Sequence, residues 1–175
     1  PIIKTFLFGL FLCLSCDLFA NQKVRLQLKW KHQFQFAGYY MALENGHFKQ
    51  AGFDVEILER DLTTSPVDDV LAGRAEFGVA DSSIVLQRLR GKPVVIASTI
   101  FQSSPLILMS LKESNINSPY DLNDKRIMFQ RSIDDAAIQA MLQMFEVTPD
   151  RYTFVQHNFD NWALIKDHTD AMSAY

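Results

Sequence analysis

From Val24 to the last residue, short strand-like segments alternate with helix-like ones, and few folds are open to a chain patterned this way. "VRLQLKW" (24–30) alternates with period two and reads as a strand. "GYYMALENGHFKQAG" (38–52) has apolar residues at helical spacing and Gly52 as its stop signal. "FDVEILE" is a second strand with Phe53, Val55 and Ile57 on one face. "SPVDDVLAGRA" starts a helix with Ser65 as N-cap and Pro66 at the first helical position. "EFGVA" (76–80) reads as a short buried strand, "SSIVLQRLRGK" as a helix closed by Gly91, and "PVVIASTIF" (93–101) and "PLILMSLKES" (105–114) as strands. After a short helix or turn at "SPYDLNDK" the alternation restarts, with strands at "KRIMFQ" and "YTFVQHN" and a final strand at "DAMSAY". Between them come a helix capped by Ser132, with an apolar stripe of Ala137, Met141, Met144 and Phe145, and a helix over "DNWALIKD" (160–167). Such alternation predicts an α/β fold with mostly parallel sheets in two lobes, about 22–110 and 111–175. The terminal strand at "DAMSAY" needs neighbours, so the second lobe is expected to be truncated.

Residues 1–20, "PIIKTFLFGLFLCLSCDLFA", are a different material. Lys4, an apolar run from Phe6 to Leu14 and small residues near Ala20 give the outline of a secretory signal peptide. The run is shorter than the roughly 20 apolar residues of a transmembrane helix. An uncleaved anchor and a lipid-modified Cys16 are the alternatives. Both cysteines lie here, so the remainder can hold no disulfide or thiolate metal site, and the expected location is the periplasm. A net charge of −3 on 175 residues gives no electrostatic support for a nucleic-acid partner.

Catalytic signatures are absent: there is no nucleophile elbow, no glycine-rich phosphate loop and no histidine pair at metal-binding spacing. No cofactor or metal is expected. The Asp68–Asp69 and Asp134–Asp135 pairs fall in first helical turns, where the helix dipole favours them. Three loops at the carboxyl ends of predicted parallel strands remain, and in open α/β sheets ligands bind at that edge. The first is "WKHQFQFAGYY" (30–40), offering Trp30, Gln33, Phe34 and Tyr39. Trp30, Phe34 and Phe36 read either as core or as stacking surfaces. The second is "ADSS" (80–83), with Asp81 and Ser82, and the third is "FQRS" (129–132), with Gln130 and Ser132. Asp81, Ser82 and Ser132 read either as helix caps or as ligand contacts.

"LQLKWKHQFQFAGYYMALENGHFKQAGFDVEI", "VLAGRAEFGVADSS", "RGKPVVIASTIFQSSPLILMSLKES" and "SPYDLNDKRI" closely resemble bacterial periplasmic solute-binding proteins of the branch related to the yeast thiamine pyrimidine precursor synthase. The resemblance covers essentially everything after the leader. It implies a type 2 periplasmic-binding-protein fold that closes on a small-molecule solute held between its lobes. It also implies a partner: an ABC permease, or a C-terminal kinase or cyclic-dinucleotide signalling module. The yeast-type synthase uses a pyridoxal-phosphate lysine shortly after a "G-[KR]-x-[DE]-[MF]-G" run. Here that run is "GRAEFG" (73–78), the lysine position is Ala80, and a histidine position four residues on is Ile84. The resemblance to the synthase therefore implies a binder without the enzyme's Schiff-base lysine. A flat heteroaromatic solute such as a pyrimidine needs rings to stack on and a few placed polar groups, which Trp30–Tyr40 and Asp81 would supply.

Overall fold

A computed structural model describes residues 21–61, 63–130 and 135–175. The leader, Ser132 and Asp134 lie outside the described residues. Two sheets organise the chain. The first has strand order β2-β1-β3, with β1 at Gln22–Gln27, β2 at Phe53–Leu58 and β3 at Phe77–Gly78. All its pairings are parallel, in a register running from Gln22 opposite Phe53 to Gln27 opposite Leu58 and Gly78. The second has order β4-β7-β5-β6, with β4 at Ile107–Ser110, β5 at Arg126–Phe129, β6 at Thr153–Gln156 and β7 at Ala171–Ala174. There β5 pairs parallel with β6 and β7, while β4 runs antiparallel to β7. The change of sheet thus falls before Ile107.

The core of the second sheet follows from β5. "RIMF" is a near-continuous apolar run, as a strand covered on both faces should be. Ile127 and Phe129 pack on one face with Leu122, Ile138, Leu142 and Val147; Met128 packs on the other with Ala163, Leu164 and Met172. The helix facing the first cluster, Ala136–Met144, turns Ile138 and Leu142 inward. The expected stripe is therefore corrected: Met141 and Phe145 reach the core edge, whereas Ala137 is exposed and Met144 is 78% exposed.

One helix start matches its local signal, whereas Ser82 makes no side-chain cap bond to the helix Ser83–Leu89 and the helix Ala136–Met144 has Asp135 at its N-cap. Ser65 accepts the Asp68 N–H at 3.1 Å and caps the helix Pro66–Leu71. Other expectations are overturned. The 38–52 helix is two pieces, Ala37–Glu44 and His47–Gln50, because Gly46 takes a left-handed φ of 72° between them. The 76–80 strand shrinks to the exposed pair Phe77–Gly78. No strand forms over 93–101, and Val95, Ile96, Ile100 and Phe101 are exposed. Apolar content alone does not make a strand; a ladder partner is needed, and no described strand pairs with this segment. Residues 160–167 form turns instead of a helix, bounded by left-handed backbone at Phe159 and Asp167.

Candidate functional site

The carboxyl ends of the parallel strands in both sheets converge on one cleft. β1 delivers Lys29 and Trp30, β2 delivers Arg60, and β3 delivers Val79, Ala80 and Asp81. From the second sheet, β5 delivers Gln130 and β7 delivers Tyr175. The helix starts at Pro66, Ser83 and Asp135 complete the walls, around about 420 Å³ of space that includes open solvent.

Trp30 joins the two halves. Its ring lies edge-on to His157 at 5.0 Å and to Phe159 at 4.0 Å, both of which follow β6. His157 is buried, and its Nδ1 accepts the Phe159 N–H at 3.0 Å. Burial pushes this imidazole below its ordinary value, opposed by the Ser173 backbone.

The two oxygens of Asp81 have different partners. Oδ1 accepts the Ser83 N–H at 2.9 Å, tying the carboxylate to the start of the helix Ser83–Leu89. Oδ2 faces Lys29 Nζ at 3.5 Å and the Tyr175 hydroxyl at 3.3 Å. Lys29 Nζ also stands 3.4 Å from the centroid of the Tyr175 ring. Burial pushes the Lys29 ammonium below its ordinary value, with Asp81 pulling the other way. Across the cleft, the Gln130 N–H donates to Asp135 Oδ2 at 2.6 Å, and the Ser173 hydroxyl donates to the same oxygen at 3.1 Å. Gln130 Oε1 accepts from Gln156 Nε2 at 2.8 Å.

Of the residues named from the sequence, Trp30, Asp81 and Gln130 line this cleft together. Gln33, Phe34, Tyr39 and Ser82 are not among its walls. Phe34 is 92% exposed, Gln33 bonds locally with Gln35, Tyr39 packs on the buried Phe36, and Ser82 is exposed while its neighbour Ser83 faces the cleft. Asp135 is not simply a dipole-favoured surface carboxylate: it is buried and holds Gln130. Lys29, Arg60, His157, Phe159 and Tyr175 carry no local signal of their own, beyond Lys29 standing beside Trp30.

Comparison with known proteins gives the family and the fold. The family model described as "NMT1/THI5 like" matches residues 33–175. The chain belongs to the NMT1/THI5-like family. Among curated relatives of this family member, the formylaminopyrimidine-binding protein of Halalkalibacterium halodurans is 30% identical over 104 residues, covering 59% of this chain and 32% of the relative. The 4-amino-5-hydroxymethyl-2-methylpyrimidine phosphate synthase of Legionella pneumophila is 26% identical over 137 residues, covering 78% of this chain and 43% of the relative. The chain thus spans less than half the length of these relatives. The periplasmic aliphatic sulphonate binding protein SsuA from Escherichia coli superposes with a TM-score of 0.56 at 13% identity, over 88% of this chain and 51% of that one. The fold is accordingly that of periplasmic binding proteins, type 2, as the resemblance implies, within the α/β class that the strand alternation predicts.

Proposed function

We propose that this chain is the solute-binding part of an extracytoplasmic protein and captures a small, flat heteroaromatic solute, pyrimidine-like, in the cleft. The observation carrying this reading is the convergence of the Trp30 indole, the cleft-facing Oδ2 of Asp81 and Gln130, brought together from two sheets. An aromatic face with a few placed polar groups is what such a solute requires. The bound solute would pass to an ABC permease or be reported to a C-terminal kinase or cyclic-dinucleotide signalling module. Relatives named as pyrimidine-binding and as pyrimidine synthase both support the solute class.

The synthase activity is the rival reading, and the cleft does not fit it. Ala80, at the position where the synthase resemblance calls for the pyridoxal-phosphate lysine, lines the wall with a methyl group that has no amine to form an imine. The walls therefore do not fit a pyridoxal group held from that position. The test is a melt of the full chain with a panel of aminopyrimidines. A binder gains RT ln(1 + [L]/Kd), about 2.7 kcal/mol at a hundredfold excess over Kd. Incubation with pyridoxal phosphate followed by borohydride reduction should leave no covalent adduct in the cleft, and a stoichiometric adduct there would overturn the binding-only reading. Absence of stabilisation by any heteroaromatic would overturn the solute class.

A further inference from the structure

Lys29 has no role in the reading above, yet it lines the cleft. Its side chain is 12% exposed and that of Asp81 is 17% exposed, so both charges are largely withdrawn from water. Their contacts are nevertheless loose. Nζ to Oδ2 is 3.5 Å and the Tyr175 hydroxyl to Oδ2 is 3.3 Å, whereas charge-assisted N–H···O and O–H···O bonds run at roughly 2.5–2.9 Å. The other oxygen of Asp81 is held at 2.9 Å by the Ser83 N–H. One anchored oxygen and one slack one make Oδ2 the acceptor that an entering group meets. A largely desolvated pair with imperfect geometry also gains most from a partner that satisfies both ends.

Charge narrows the partner. Lys29 and Arg60 face Asp81 and Asp135 around the cleft, so its charged lining is balanced. Arg60 Nη1 donates to the Lys29 carbonyl at 3.2 Å, and Asp135 accepts from Gln130 and Ser173. A cationic solute would set a like charge against Lys29, and an anionic one against Asp81. On the basis of the heteroaromatic reading, we propose that Lys29 and Asp81 together read one edge of an uncharged solute on which an N–H donor neighbours an acceptor. The amine donates to Asp81 Oδ2, and the ring nitrogen or carbonyl oxygen beside it accepts from Lys29 Nζ. The edge of a 4-aminopyrimidine has this order. An edge bearing acceptors alone sets an oxygen against the carboxylate and is rejected.

The experiment titrates the full chain at about pH 8 with 4-amino-2-methylpyrimidine, 2,4-dimethylpyrimidine and 3-methylaniline, following intrinsic fluorescence. The second compound lacks the donor and the third lacks the ring acceptor. Each isostere should bind the native chain about tenfold or more weakly than the aminopyrimidine, the range for losing a hydrogen bond to a charged group. In Lys29→Met the aminopyrimidine should fall to the level of 3-methylaniline. Because the series is read on the native chain, a variant that fails to fold leaves the test intact. Equal affinity for the aminopyrimidine and 3-methylaniline would overturn the role of Lys29 and leave the heteroaromatic reading standing. 2-Pyrrolidinone, a non-aromatic ring with the same donor–acceptor edge, separates the opposite case: if it binds and N-methylation abolishes binding, while no aromatic probe binds, the edge-reading pair stands and the heteroaromatic class falls. No binding of any probe at millimolar concentration would overturn both.

Discussion

At the scale of one residue, Asp81 bonds a helix start without using the oxygen that faces the cleft, so the two readings its sequence position leaves open do not exclude each other. Capping a helix and contacting a solute are alternatives only if a carboxylate has one face, and here Oδ1 meets the Ser83 N–H while Oδ2 meets Lys29 and Tyr175. Asp81 is legible in the sequence because it ends a predicted strand and precedes a helix. Lys29 and His157 are not, because what makes them notable is burial beside residues far along the chain. His157 gives a prediction of its own. Its Nδ1 must stay unprotonated to accept the Phe159 N–H, and burial holds its folded value below the ordinary one of about 6.5. The unfolded chain therefore takes up a proton more readily than the folded one. The stability contribution is fully present above about pH 6.5 and is lost as pH falls from there through the lower folded value. Denaturant midpoints should decline as pH falls below about 6.5, and His157→Gln should flatten that decline. Carboxylates with lowered values act below this window, Glu76 at about 2 among them.

The cap of the helix Pro66–Leu71 is legible from sequence alone because its chemistry is local. Ser65, Pro66 and the acidic Asp68–Asp69 pair announce the helix Pro66–Leu71, and its first turn places Pro66 and Val67 on the cleft wall. Ser65→Ala should remove the 3.1 Å bond to the Asp68 N–H and lower stability by about 0.5–2 kcal/mol. Solute affinity should stay the same, since Ser65 itself is not among the cleft residues. Urea midpoints and solute Kd, measured side by side, check both halves. Non-local elements are read less well from sequence. "PVVIASTIF" has the composition of a strand, but strand formation is settled by a neighbour, and no described strand supplies one. In 160–167 the apolar spacing is helical, yet Ala163 and Leu164 bury themselves against Met128 and Met172 from a turn. Burial was the part of that pattern visible in sequence, and backbone conformation was not.

In the molecule as a whole, the alternation of strands and helices has one functional consequence: parallel strands end together. Lys29, Asp81, Gln130 and Tyr175 lie far apart in sequence and become neighbours because each follows a strand whose carboxyl end faces the same cleft. The fold class is therefore legible from the pattern, while membership of the cleft depends on which loop residue turns inward. That is why Trp30 lines it and Phe34 does not. Trp30 also contacts both halves, through β1 on one side and through His157 and Phe159 on the other. A solute stacking in the cleft should alter this indole's surroundings directly. The only other tryptophan, Trp162, is 62% exposed and lies outside the cleft, so Trp162→Phe leaves a single reporter. In that variant, an aminopyrimidine that stabilises the chain should shift the Trp30 emission with the same concentration dependence as the melt. Adding Trp30→Ala to it should abolish the signal and weaken binding by about 1–3 kcal/mol, the range for losing a base–aromatic stacking surface to alanine. An emission change that survives without Trp30, or binding unaffected by its loss, would remove the indole from the site and leave Asp81 and Gln130 to define it.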